Sequence, residues 1–585
     1  MSPSHRCSRF LPVVIAVLCG LGGNRPPDRE AIDLLLDRVP PDASLVLEIR
    51  DLGDWLRALI DSPMGARLAD SRVVRDWLDS EEGKSLRRAR RDIETALGAP
   101  LLEIADGLAG EAVVLSLHLP DGAPPDDARG ILQSAVTDRE LLQAFIAAAN
   151  GAERASGNLI RVDRREHGGV SYAVRVFQDG RPEEAYVLLD DGTFVWTNAE
   201  RLLREVIDRA SDPDLSAWGD RLARARIRSA SPAGAIARLF IDPGLIGRMA
   251  ATDPDAPALE DLPGPIAESI RAVEAIGLAL EWRDGPILHV VEVLDPDLLP
   301  DPIRSWAARR GDPSALLGLI PGSALLAASG HVDCPALHDL IVASVPESGR
   351  PRLETINELA RGLLLGLEPR SAILPAIGPG LVGWVDTPAR ELPLKAAPAV
   401  LVASIGDPAA AEAIDNALRT LLAFVSLDEE RDGPLRLSIG RGDGTRVTAL
   451  VSGEGPGSTR FAFAVGRGMI VVGTDADAVA EVLAGGGAER SGKGPRPAVL
   501  DARERYFPDA STFAYLDLGA VVRIATERRA ELGTLLDVPT EDEDLDRLLD
   551  LISLFRGAYV SSSLSEDGTL ARQRLGLLLS EAEGP

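Results

Sequence analysis

The sequence predicts an α+β fold built from two homologous halves, 24–305 and 306–585. Each half is expected to be an antiparallel sheet with helices packed on one face, divisible in turn into two related subdomains. Three observations lead there. Short blocks recur in the same order at nearly constant spacing, apolar runs end in an Asp that opens a helical-period segment, and glycine turns join neighbouring β-rich runs. The composition allows such cores, since 45 % of the 585 residues are apolar and 26 % charged, the balance of a folded protein. Against 62 basic side chains stand 90 acidic ones, and the net charge of −28 argues against non-specific binding of nucleic acid or an anionic membrane surface. Six His and three Cys without a repeated Cys/His cluster exclude zinc-ribbon and multi-haem architectures, and no cofactor is expected.

Residues 1–23 read as a signal peptide. His5, Arg6 and Arg9 precede an apolar run from Phe10 to Leu21, which is shorter than the ~20 residues a spanning helix needs. Cleavage after Gly22 or Gly23 meets the small-residue requirement; lipidation at Cys19 is the alternative, opposed by the bulky Leu18 before it. Without the leader, Cys334 is the only free thiol, so no internal disulfide can form. No later run reaches 18 apolar residues, so no transmembrane segment is expected in the mature chain. The expected location is the periplasm or cell envelope.

The strand-to-helix device appears three times in full. Leu45–Ile49 leads to Asp51, then Leu52, Trp55, Leu56, Leu59 and Ile60 at helical spacing. Phe240-Ile241 leads to Asp242-Pro243, with Leu245, Ile246 and Met249 behind, and Ala514–Leu516 leads to Asp517, with Val521, Val522 and Ile524. An Asp there can accept from the unpaired N–H groups of the first turn, where proline is also tolerated. Hairpins stand beside these units: Tyr186–Leu189 and Phe194–Trp196 flank Asp190-Asp191-Gly192, and Trp282 and Ile287–Val291 flank Asp284-Gly285.

The repeat joins these pieces. A shift of 281 lays Val39-Pro40 on Ile320-Pro321 and Leu56 on Leu337, and 269 lays Ala135–Asp138 on Ser404–Asp407. Shifts of 276, 275 and 283 lay Ala185–Trp196 on Phe461–Val472, Phe240–Asp242 on Tyr515–Asp517, and Asp284-Gly285 on Asp567-Gly568. Pro508–Ser511 also resembles Pro41–Ser44, which suggests the division of each half.

Candidate sites are few. His331, Asp333, Cys334 and His338 are the one cluster of metal-type ligands. The repeat sets His331 on Arg50 and His338 on Arg57, so an ordinary capped helix start is the preferred reading and no metal is expected. Gly487–Lys493 imitates a phosphate-binding loop but continues into Gly494 and Pro495, as a linker does. Glu541–Asp544 with Asp546 lacks the alternating ligands of a calcium loop, and Thr540 with Glu543 matches a capping box ahead of Leu545, Leu548, Leu549 and Ile552. His118, His167 and His289 fall in or near expected strands without a nucleophile motif beside them, so catalytic residues stay unassigned.

Val39–Ser44 and Phe507–Ser511, the helix opening Asp51–Leu56, and the segments Thr197–Ala199 and Thr474–Ala476 together resemble a family of exported bacterial proteins of unknown function with repeated strand-Asp-helix units. The resemblance implies an exported protein and carries over no catalytic residue. The expected function is a non-enzymatic binding or structural module whose partner is an envelope protein or ligand. The alternative is a periplasmic hydrolase with a site between the halves, drawing on His331 and His338.

Overall fold

A computed structural model describes residues 29–580, apart from 121–126, 179, 213, 216–217, 219–221, 251–258, 309–313, 391, 428–434, 443, 454–457, 486–497, 509 and 537–542. The leader with Cys19, the stretch 487–493 and Thr540–Asp542 therefore lie outside the described residues.

The fold is α+β with 20 strands, and every pairing of defined register is antiparallel. Two compact units share them: one reaches Ala256 and takes in Glu274–Val293, the other takes Pro257–Val273 and Leu294–Glu581. The strands of the first unit are β1 (Leu45–Arg50), β2 (Ala112–His118), β3 (Arg129–Ala135), β4 (Leu159–His167), β5 (Val170–Phe177), β6 (Glu184–Leu188), β7 (Thr193–Thr197), β8 (Ala237–Ile241), β9 (Val273–Trp282) and β10 (Pro286–Leu294). Hydrogen-bonded neighbours run β4-β5-β6-β7-β3-β2-β1-β8-β9-β10. The expected hairpins are β6–β7, whose turn needs Gly192 at φ 92, and β9–β10, where Arg283 N–H donates to the Gly285 carbonyl.

The second unit carries β11 (Ala324–His331), β12 (Ile377–Asp386), β13 (Ala399–Ile405), β14 (Arg436–Gly442), β15 (Thr445–Val451), β16 (Thr459–Gly466), β17 (Met469–Gly473), β18 (Thr512–Asp517), β19 (Phe555–Leu564) and β20 (Leu570–Leu579). Its order is β14-β15-β16-β17-β13-β12-β11-β18-β19-β20, the same path through the sheet as in the first unit.

Helices cover both faces of the first unit's sheet, not one as expected. Period 2 sends Val195 and Trp196 of β7 to opposite sides. Val195 packs with Leu202, Leu203, Val206 and Ile207 of the helix Glu200–Ser211, while Trp196 meets Phe145 of the helix Arg139–Ala155 edge-on at 6.2 Å. The strands are apolar on both sides near this point, and a one-sided layer would leave Trp196 in water.

Asp caps open several helices. Asp242 accepts from Gly244 N–H at 2.8 Å and Asp517 from Ala520 N–H at 2.8 Å, and Asp138, Asp407 and Asp475 do the same for their helices. Asp51 departs from the expectation: it sits in the left-handed region at φ 45 and makes no side-chain cap to the helix Leu52–Ile60. Serine does similar work in the chain of helices Pro63–Asp70, Arg72–Asp79 and Glu81–Leu97, where Ser62, Ser71 and Ser80 each accept from an N–H three residues on.

Candidate functional site

The alternation of β2 puts Ser116 and His118 on one face of the sheet. Pairing with β1 brings up the turn before that strand, and with it Asp42. His118 Nδ1 lies 2.9 Å from Asp42 Oδ1, and His118 Nε2 lies 3.1 Å from Ser116 Oγ. With the proton on Nδ1, the ring donates to the carboxylate and accepts from the serine, the order of groups in an acid–base relay. The hydrogen bond from His118 holds the Asp42 carboxyl below its usual pKa, against the opposing effect of burial.

Access and oxyanion stabilisation are missing from this arrangement. Ser116 is 4 % exposed and His118 3 % exposed. The helix Arg29–Asp37 packs over β2 and β3 with Ile32, Leu35 and Leu36 buried. Ser116 sits in the middle of its strand, paired with Val46 on one side and Ile131 on the other, so the backbone around its hydroxyl is spent on the sheet. A hydrolytic serine is normally presented on a sharp turn beside free N–H donors.

A buried ionic row lies on the same face. Glu48 is fully buried and accepts from Arg238 Nη1, and from Arg50 Nη2 at 3.4 Å. Arg238 also donates to the Pro232 carbonyl at 2.6 Å, and desolvation pulls the Arg50 pKa down. Gln133, fully buried on β3, continues the row across Val114. Farther along the sheet, the buried Arg175 pairs with Glu184 at 2.5 Å and lies 5.0 Å from the ring centres of both Phe177 and Trp196. Sequence reasoning missed these groups because the partners that complete them, Asp42 for His118, Arg238 for Glu48 and Glu184 for Arg175, lie outside the strand that carries each. The Ser116-Leu117-His118 alternation was the one local signal.

Two other histidines of the first unit are also paired with acids. His167 Nε2 lies 2.7 Å from Asp208 Oδ1, and His289 Nε2 lies 2.9 Å from Glu281 Oε2. In the second unit, Asp333 caps the helix Cys334–Ser344 by accepting from Ala336 N–H at 3.2 Å. His331 is buried at 5 % exposure at the end of β11, His338 turns to Asp339 at 3.2 Å, and burial with Asp333 nearby pushes the Cys334 thiol up. Among the described residues, no three His, Cys, Asp or Glu side chains gather as a metal-holding group.

Comparison with known proteins adds little to this picture. No family model matches the chain, and no curated protein matches it. Among solved structures, the chain is similar to TP0453 in its crystal form III, at 12 % identity and a TM-score of 0.25, over 46 % of this chain and 83 % of that one. Likeness at that level carries no argument about function. The candidate site rests on geometry alone. No helix among the described residues is long and apolar enough to cross a membrane.

The second unit does not repeat the polar row. Glu48 lies between Val114 and Arg238, and the matching place in the other register, between Val382 and Phe513, is Ser329. Val402 stands where Gln133 does, and Trp384 where Ser116 does.

Proposed function

We propose that the protein is an exported, non-enzymatic binding or structural module of the cell envelope, formed by duplication of one α+β half. The observation that carries this reading is the burial of its one serine–histidine pair: Ser116 and His118 are 4 % and 3 % exposed inside the sheet, and His118, His167 and His289 are each bonded to an acid. Export is supported by the charged, apolar and small-residue order of 1–23. The shared strand order and the recurrent sequence blocks support duplication, with 24–305 and 306–585 as the two copies and two related subdomains in each. A lipid anchor on Cys19 remains the minor variant of the export reading. His331, Asp333, Cys334 and His338 are read as a capped helix start.

A second reading has one observation in its favour, the Asp42–His118–Ser116 chain. It replaces a hydrolase site between halves with one inside the first unit. One experiment separates the two readings. The full chain and Ser116→Ala are screened with chromogenic ester, amide and phosphoester substrates. We expect no turnover above background from either protein. Turnover that disappears in Ser116→Ala, with melting unchanged, would overturn the non-enzymatic reading.

A further inference from the structure

The charge of this chain is unevenly spread. Five basic residues, Lys84, Arg87, Arg88, Arg90 and Arg91, fall within eight positions of a sequence whose net charge is −28. They lie on the helix Glu81–Leu97, which buries only Gly83, and all five are exposed. Positions 84, 87, 88 and 91 share one helical face. The cations share the surface of this helix with Glu81 and Glu94. Lys84, Arg87 and Arg90 do reach carboxylates, Glu81 at 3.1 Å, Asp79 at 3.5 Å and Glu94 at 2.9 Å, but such exposed pairs are weak and exchange readily for another anion. Arg88 and Arg91 have no carboxylate partner among the described residues.

An exposed tryptophan stands beside the cations. The preceding helix Arg72–Asp79 buries no residue, and its Trp77 is 48 % exposed. Arg87 Nη2 donates to the Leu78 carbonyl at 2.5 Å, which places a guanidinium next to the residue that follows the tryptophan. An exposed indole on one helix and exposed guanidinium groups on the next suit one environment in particular. At a bilayer interface, Trp sits at headgroup level while Arg meets the phosphates. The net charge of the chain does not forbid this, because charges beyond about 10 Å are largely screened at physiological salt.

We propose that the helices Arg72–Asp79 and Glu81–Leu97 form a peripheral binding surface for anionic lipid, with Trp77 inserted among headgroups and the Arg87–Arg91 cluster on their phosphates. This goes beyond the reading above and does not depend on export.

The test is flotation of the full chain with vesicles of phosphatidylglycerol and phosphatidylcholine, or of phosphatidylcholine alone. Binding is expected only to the anionic vesicles and should fall at least tenfold at 0.5 M salt. The variant Arg87→Glu/Arg88→Glu/Arg91→Glu should lose at least tenfold in affinity with unchanged melting. Trp77→Ser, which keeps every charge, should lose several-fold. Equal binding to neutral vesicles, undiminished binding by the charge-reversed protein, or capture of soluble polyphosphate without any vesicle binding each overturn the proposal. If the charge-reversed variant melts early, the salt dependence of the unaltered chain and the Trp77→Ser result decide the matter.

Discussion

The histidine at the centre of the candidate site shows how one residue takes its meaning from distant ones. His118 was readable as a strand residue, and Ser116 as its neighbour on the same face, from alternation alone. Asp42 was readable only as part of a strand-opening motif. Its carboxylate reaches His118 because β1 pairs with β2, a contact across 76 positions. Asp42 also gives a prediction with a definite sign. Its folded pKa lies below the ordinary 3.8, so its interaction with His118 stabilises the fold above that value and is lost as pH falls through the lower folded value. Asp42→Asn removes this contribution. Its melting curve should therefore fall below that of the unaltered chain at pH 5, and the gap should narrow as the pH is brought below 3.8. A gap that widens on acidification would show that Asp42 does not hold a depressed pKa.

Among the elements, the legible ones were those whose signals are local. The hairpins at Gly192 and Gly285 and the capped starts at Asp242 and Asp517 are written in a few adjacent residues, and they stand where the sequence places them. Asp51 has the same motif and a different outcome: its backbone is left-handed, and its side chain makes no cap bond to the helix. Packing was less legible. The apolar run Phe194–Trp196 announces a strand, but nothing in it says that a helix will cover each side. The consecutive helices between 63 and 97 are held apart by single serines, and their stability is testable at Ser71. That hydroxyl donates to the Leu68 carbonyl at 2.8 Å and accepts from Val74 N–H at 3.3 Å, ending one helix and starting the next. Ser71→Ala should cost about 1 kcal/mol, the usual loss for a helix N-cap. Hydrogen exchange should locate the effect in 72–79, an element with no buried residue to hold it otherwise. Unchanged exchange there would mean that the cap is replaced by solvent without loss.

At the scale of the whole molecule, both units follow one strand order, and the first keeps a buried ionic row where the second is largely apolar. The sequence repeat predicted two related halves without a strand order, and the divergence was not legible either, since it depends on which residues stand opposite one another. If the proposed duplication is right, the scaffold itself does not require Glu48, Arg238 and Gln133. Removing only Glu48's charge is a different matter. Glu48→Gln leaves Arg238 and Arg50 buried without a carboxylate, a change that typically costs about 3–5 kcal/mol. The combined variant Glu48→Ser/Gln133→Val/Arg238→Phe carries the second unit's residues into the first. It removes one charge of each sign from the row, together with a buried amide, and leaves one buried cation, Arg50, without Glu48 where Glu48→Gln leaves two. Its loss of stability should be smaller than that of Glu48→Gln alone, a non-additive result expected of residues that share one network. Denaturant unfolding of the two variants measures the difference. A combined variant less stable than Glu48→Gln would mean that the ionic row is part of what the first unit needs to fold, and that the two units no longer obey the same packing.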